Sequence, residues 1–90
     1  MKYSDYRSFR NKCLDIEKEL QRVMGVKCVV EKGRIRKSCF GFRCEIWFYD
    51  HRRSIVGRAN FTGDTIWVDD FWSSSYVRKN IRFMKGVRVV

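Results

Sequence analysis

Phe40-Gly41-Phe42-Arg43-Cys44-Glu45-Ile46-Trp47-Phe48-Tyr49 is the stretch whose reading decides the fold. Phe40, Phe42, Cys44, Ile46 and Phe48 fall on one side of a two-residue period; Arg43, Glu45, Trp47 and Tyr49 fall on the other. Successive side chains of a strand point to opposite faces, so this alternation predicts a strand with one buried and one open face. Similar patterns flank it. Val26, Cys28 and Val30 alternate with Lys27, Val29 and Glu31 on its N-terminal side. On its C-terminal side come residues 54–61 and 65–71, separated by Gly63-Asp64. Residues 32–37 and 50–53 read as polar, turn-like connections. Connections this short join antiparallel neighbours, which gives a four-stranded meander.

Helical periodicity brackets these strands. Tyr6, Phe9, Cys13, Ile16, Leu20 and Val23 recur every three or four residues, predicting an amphipathic helix over 4–24. Ser4 is placed to cap it, Asp5 suits its first turn, and Gly25 can end it. Ser73-Ser74-Ser75 can open a second, basic helix with Val77, Ile81 and Met84 inward, stopped by Gly86. Residues 87–90 could add a short last strand. The expected architecture is α+β, an antiparallel sheet with both helices on one face, forming one compact domain over 1–90. Ninety residues allow one modest core.

Charge narrows the partners. Twenty Lys and Arg face ten Asp and Glu, a formal net charge of +10. Such an excess repels itself in the folded state and is balanced by an anionic partner. From Phe71 onward Arg78, Lys79, Arg82, Lys85 and Arg88 meet no acidic residue. The first residues lack the apolar core of a secretory signal, and no apolar run approaches the roughly 18–20 residues that span a bilayer. We therefore expect a cytoplasmic protein with no membrane contact.

One sheet face and three basic clusters suit nucleic acid. On the open sheet face Arg43, Trp47 and Tyr49 are joined by Arg58 and Asn60, with Trp67 beside them. Bases stack on such rings while guanidinium groups meet phosphates. The same rings could instead form cross-strand pairs. Around this face, Lys32, Arg34, Arg36 and Lys37 form one basic edge and Arg52 with Arg53 another. On the second helix Arg78, Arg82 and Lys85 share a face, with Lys79 beside them. Phosphate contacts of this kind give affinity without sequence information.

Catalytic and metal signatures are sparse. Cys28, Cys39, Cys44 and His51 could in principle surround zinc, but 39 and 44 have opposite strand parity, so we expect free buried thiols and no metal. The absence of a signal sequence argues against disulfides. Asp64, Asp69 and Asp70 could hold a hard cation, yet no lysine follows at nuclease spacing, and balancing arginines is the simpler role. No Walker, GxGxxG, GxSxG or HExxH motif occurs. We expect no cofactor and no catalysis.

Residues 54–83 resemble the central strands of the GNAT acetyltransferase superfamily. Ile55-Val56-Gly57 leads through a turn to Ile66-x-Val68-x-x-Phe71, and Tyr76 with Arg78 opens a helix. The resemblance implies a strand-turn-strand-helix unit and, at its fullest, a degenerate acyltransferase. No glycine occurs in Arg78–Arg82, where that superfamily cradles the acyl-CoA pyrophosphate. In size and composition the chain also resembles the small inhibitors with which phages act on host polymerases, nucleases or CRISPR effectors. That likeness implies an acidic protein or nucleoprotein partner, met through Trp47, Trp67, Trp72 and nearby Arg. The first expectation is a non-enzymatic nucleic-acid-binding domain, DNA or RNA. The edge strands could also pair in a homodimer.

Overall fold

A computed structural model describes residues 5–39, 41–69, 74–82 and 84–90. Its elements are α1 (Tyr6–Met24), β1 (Val29–Ser38), β2 (Gly41–Tyr49), β3 (Ile55–Phe61), β4 (Thr65–Val68), α2 (Ser74–Ile81) and β5 (Arg88–Val89). The strands lie in the order β1-β2-β3-β4-β5. Neighbours from β1 to β4 are antiparallel, while β5 runs parallel to β4, pairing Arg88 with Thr65 and Val89 with Ile66. The meander expected from the sequence is there, extended by this parallel strand. The Cα radius of gyration is 12.5 Å, close to the roughly 12 Å of a compact chain this long.

Alternation in β2 is realised as read. Cys44, Ile46 and Phe48 are buried, and Arg43 stands in solvent. Phe42 packs at the margin of the core against Phe9, and Phe40 lies outside the described residues. In α1 the buried stripe is Phe9, Cys13, Ile16, Leu20 and Met24. Tyr6, expected in that stripe, is 53 % exposed and touches Phe42 edge-on; Val23 is only partly buried. The cap is Asp5, whose carboxylate accepts from the Ser8 amide at 2.9 Å and from the Ser8 hydroxyl. Ser4, the expected cap, lies outside the described residues. Gly25 ends the helix at φ +59°, a conformation that costs side-chain-bearing residues energy.

Three expectations about boundaries are corrected. Val26 is not the first inward strand residue: it sits in the turn after α1 and is 87 % exposed. Residues 32–37 are not a connection but the second half of β1, with the register shifting between Lys32 and Ile35. The real turn joins Ser38 to Gly41. Charge and a glycine suggested a loop there, but cross-strand pairing overrides such composition. Finally, α2 ends at Ile81 rather than near Gly86. Val77, Ile81 and Met84 are nevertheless all buried, because the chain turns Met84 back into the core. Strand β4 stops at Val68, and Asp70 and Phe71 lie outside the described residues.

Helix α1 also closes part of an open edge. Gln21 accepts from the Val30 amide at 2.9 Å, Glu17 accepts from the Lys32 amide, and Gln21 donates to the Cys28 carbonyl at 2.9 Å. These side chains take up strand groups that would otherwise invite a further strand.

Both helices share one core cluster with the inner sheet face. Where α2 crosses β3, the contact depends on Gly57. A Cβ there would lie 2.7 Å from Val77 Cγ2 and 3.5 Å from the Phe48 ring. Gly57→Ala should therefore lift α2 from the sheet and cost about 1–3 kcal/mol. Urea denaturation would read this as a lowered midpoint at unchanged slope.

Candidate nucleic-acid interface

Because the helices cover one face, the opposite parity of every strand forms the open face. The register sets Glu31 beside Trp47 and Trp47 beside Arg58; it sets Glu45 beside Asn60 and Asn60 beside Trp67. The residues expected on this face are on it. Glu31 and Glu45 stand on it too, as their strand parity implies, and Asp69 balances Arg58 as expected; what the sequence reading missed is which arginine Glu31 and Glu45 each meet.

Each carboxylate holds an arginine. Arg53 Nη1 donates to Glu31 at 3.0 Å, Arg36 Nε to Glu45 at 3.0 Å, and Arg58 Nε to Asp69. The Arg53 guanidinium lies 4.9 Å from the centre of the Tyr49 ring, and that of Arg58 lies 5.4 Å from Trp47. Exposed ion pairs and cation–π contacts each contribute about 1 kcal/mol or less, so they orient these groups more than they stabilise the fold. Trp47 is not a free stacking platform. Its indole lies across Gly33, where a Cβ would come within 2.8 Å of Nε1, and its N–H serves the Glu45 carboxylate. Trp67, 49 % exposed, is the open-face ring that remains accessible.

Positive charge concentrates at the β1–β2 hairpin. Arg36 and Arg43 are direct cross-strand partners. Arg34 occupies the same face of β1 and acts on Glu45, so two guanidinium groups act on one carboxylate. The hydrogen bond from Arg36, and then the Trp47 indole and the charge of Arg34, hold the Glu45 carboxyl below its ordinary range. Lys37 points to the other side of the hairpin, with Nζ 6.0 Å from the Phe42 ring.

The other expected contacts are not continuous with this group. Arg52 sits in the turn after β2, at the far end of that strand, where Asp50 accepts from its backbone amide at 2.8 Å. The C-terminal cations divide. Arg78, Lys79 and Arg82 line one cavity, whereas Lys85 lines another with Glu19, Arg22, Val23, Asn80 and Met84. A shared helical face for Arg78, Arg82 and Lys85 is thus corrected, because the helix ends before Arg82. Trp72 lies outside the described residues. No protein-family model, curated protein or solved structure matches the chain.

The cysteines occupy separate settings. Cys13, Cys28 and Cys44 are buried as expected, but Cys39 is exposed, because it falls in the hairpin turn beyond the sheet's covered face. The Cys13 thiol is pushed up by its hydrogen bond with Cys44 and by burial. His51 Nε2 contacts the Val26 carbonyl at 2.6 Å. Among the described residues, no group of three His, Cys, Asp or Glu is arranged to hold a metal ion, and no helix is long and apolar enough to cross a membrane.

Glu45 provides a test of this geometry. Since its folded pKa is depressed, its contribution to stability is present above the unfolded carboxylate pKa and fades as pH falls through the folded value. Glu45→Gln should lower the urea midpoint at neutral pH by less than about 1 kcal/mol equivalent. That gap should close as both proteins are acidified from about pH 5 to pH 3. A gap that stays constant with pH would assign the loss to packing instead.

Proposed function

We propose that this domain binds nucleic acid without catalysing a reaction, using the hairpin arginines Arg34, Arg36 and Arg43 on phosphates and Trp67 as an accessible ring. The observation that carries this reading is the direct pairing of Arg36 with Arg43 across the hairpin. Like charges directly opposite in a sheet destabilise it, and Glu45 matches only one of three guanidinium groups. A polyanion laid along the hairpin relieves that repulsion. Arginine suits the role because its planar fork meets phosphate oxygens with two parallel hydrogen bonds. Arg53 and Arg58, stacked on Tyr49 and Trp47, extend the same face.

A protein partner is the second reading. It is favoured by the mixture on the open face: rings under ion-paired arginines, with Trp67 and Ile55 exposed. Aromatic and arginine side chains dominate binding energy at protein interfaces. In that case the ligand would be an acidic surface, met in the manner of a small inhibitor.

Fluorescence anisotropy with labelled single-stranded and duplex DNA and RNA over a salt series tests the first reading. Affinity should fall steeply with salt, and Arg34→Ala with Arg43→Ala should reduce the log–log slope by about 1.5. Both substitutions leave the Arg36–Glu45 pair in place. Arg43→Ala also removes a like-charge contact, so its thermal stability should equal or exceed that of the parent while its affinity drops. Absence of binding at low salt would overturn the reading and turn attention to an acidic protein.

A further inference from the structure

One cross-strand row of the open face runs Glu45–Asn60–Trp67, each residue directly opposite the next. Side chains paired in this way have Cβ atoms about 4.5–5.5 Å apart, close enough to act on one ligand together. Trp67 is 49 % exposed, whereas the Tyr49 and Trp47 rings lie under Arg53 and Arg58. Asn60 is half-buried beside it. Among the described residues, no hydrogen bond engages the Asn60 carboxamide or the Trp67 indole. Glu45 accepts from Arg36 and from the Trp47 indole, and its side chain keeps 22 % of its surface in solvent. An ionised carboxylate has about four acceptor positions, so part of its capacity is open. An accessible ring, an uncommitted donor and acceptor, and a spare acceptor thus stand in line.

The chemistry of that row selects the ligand. A nucleobase stacks its face on Trp67 and brings its edge over Asn60. The carboxamide NH2 of Asn60 donates to a ring nitrogen of the base, and its oxygen accepts from the neighbouring exocyclic amine. The second hydrogen of that amine points on toward Glu45. Adenine and cytosine carry an amine beside an acceptor nitrogen and satisfy all three groups. Uracil and thymine present carbonyls on both sides of N3–H, which sets a carbonyl oxygen against the Glu45 carboxylate. A base stacked and paired within a duplex has no free face for Trp67, so the arrangement favours single strands. Arg43 follows Glu45 by one pleat on the same face, about 7 Å along β2, and Trp67 stands two strands, about 10 Å, away. A strand with one base on Trp67 thus passes the hairpin arginines, where its phosphates are held. We infer that Trp67, Asn60 and Glu45 form a base site for single-stranded nucleic acid that selects adenine and cytosine over uracil and thymine. The inference rests on the nucleic-acid reading above and has a test that does not involve the hairpin.

The test is an NMR titration of the whole chain with cytidine and with uridine, which carry no phosphate. Beside it runs fluorescence anisotropy with oligo(dC), oligo(dT) and a duplex of equal length at neutral pH. Cytidine should shift the Asn60 side-chain NH2 and the Trp67 indole N–H saturably in the millimolar range, and uridine should not. Oligo(dC) should bind about tenfold more tightly than oligo(dT), and the duplex more weakly than oligo(dC). Asn60→Leu, which keeps the size and removes donor and acceptor, should bring the two single strands to equal affinity. Trp67→Ala should weaken both about tenfold, and Trp67→Phe should restore most of the loss. Salt-dependent oligonucleotide binding with no cytidine shift, or with equal affinity for oligo(dC) and oligo(dT), overturns the base site and leaves the hairpin reading standing. Cytidine shifts without oligonucleotide binding support the base site and sink the hairpin reading. Neither signal overturns both.

Discussion

The two-residue period of β2 is the constraint on which the rest of the molecule depends. One set of its side chains, Cys44, Ile46 and Phe48, provides the middle of the core. The other set, Arg43, Glu45, Trp47 and Tyr49, provides the middle of the open face. A slip of one residue would exchange the two sets, burying charge and exposing Phe48. Both flanking strands are therefore held in register by the same requirement. Helix α1 reinforces it by bonding Val30 and Lys32 through Gln21 and Glu17. Helix α2 reinforces it by fitting Val77 against Gly57 beside Phe48.

On the open face, electrostatics follow from that register. Each of three carboxylates has an arginine within reach, and two of those arginines cover an aromatic ring. The pairs are too exposed to add much stability. Their effect is geometric: they hold Arg53 over Tyr49 and Arg58 over Trp47, leaving Trp67 accessible toward the β4 side. Positive charge collects at the hairpin and beside α2. Because these zones occupy different edges of the sheet, and α2 lies on the covered face, the described basic residues form two separate patches rather than one groove.

Much of this fold could be read from side-chain periodicity. The alternation in residues 41–49 and the helical spacing of Phe9, Cys13, Ile16 and Leu20 are local signals, and local signals survive folding. The errors arose where a contact between distant residues decided the outcome. Gly33 reads as a turn residue, but it is a strand position kept small because Trp47 crosses it. Tyr6 has the right spacing for the core, yet the sheet beneath it ends in Phe42 and leaves it half in solvent. The site was legible as a list of cations and rings. It was not legible as an arrangement, since cross-strand register decides which arginine meets which carboxylate. Arg36 opposite Arg43 depends on a register shift between Lys32 and Ile35 that no local pattern announces.

That shift bears directly on the hairpin's chemistry. Across β1 and β2, Glu31 pairs with Trp47 before the irregularity, and Arg36 pairs with Arg43 after it. In a regular ladder every pair would keep the same residue total; Arg43 would then face Ile35, which would turn to solvent. The irregularity instead returns Ile35 to the core side, opposite Cys44, sets Arg36 opposite Arg43, and brings Arg34 and Arg36 to Glu45. Keeping an apolar residue buried and concentrating charge are thus consequences of a single change in register. It can occur at Gly33 because a glycine there lets the Trp47 indole lie against the backbone. The same glycine that closes the packing of Trp47 therefore positions the arginines, and the charge density of the hairpin is built into the fold rather than scattered over it.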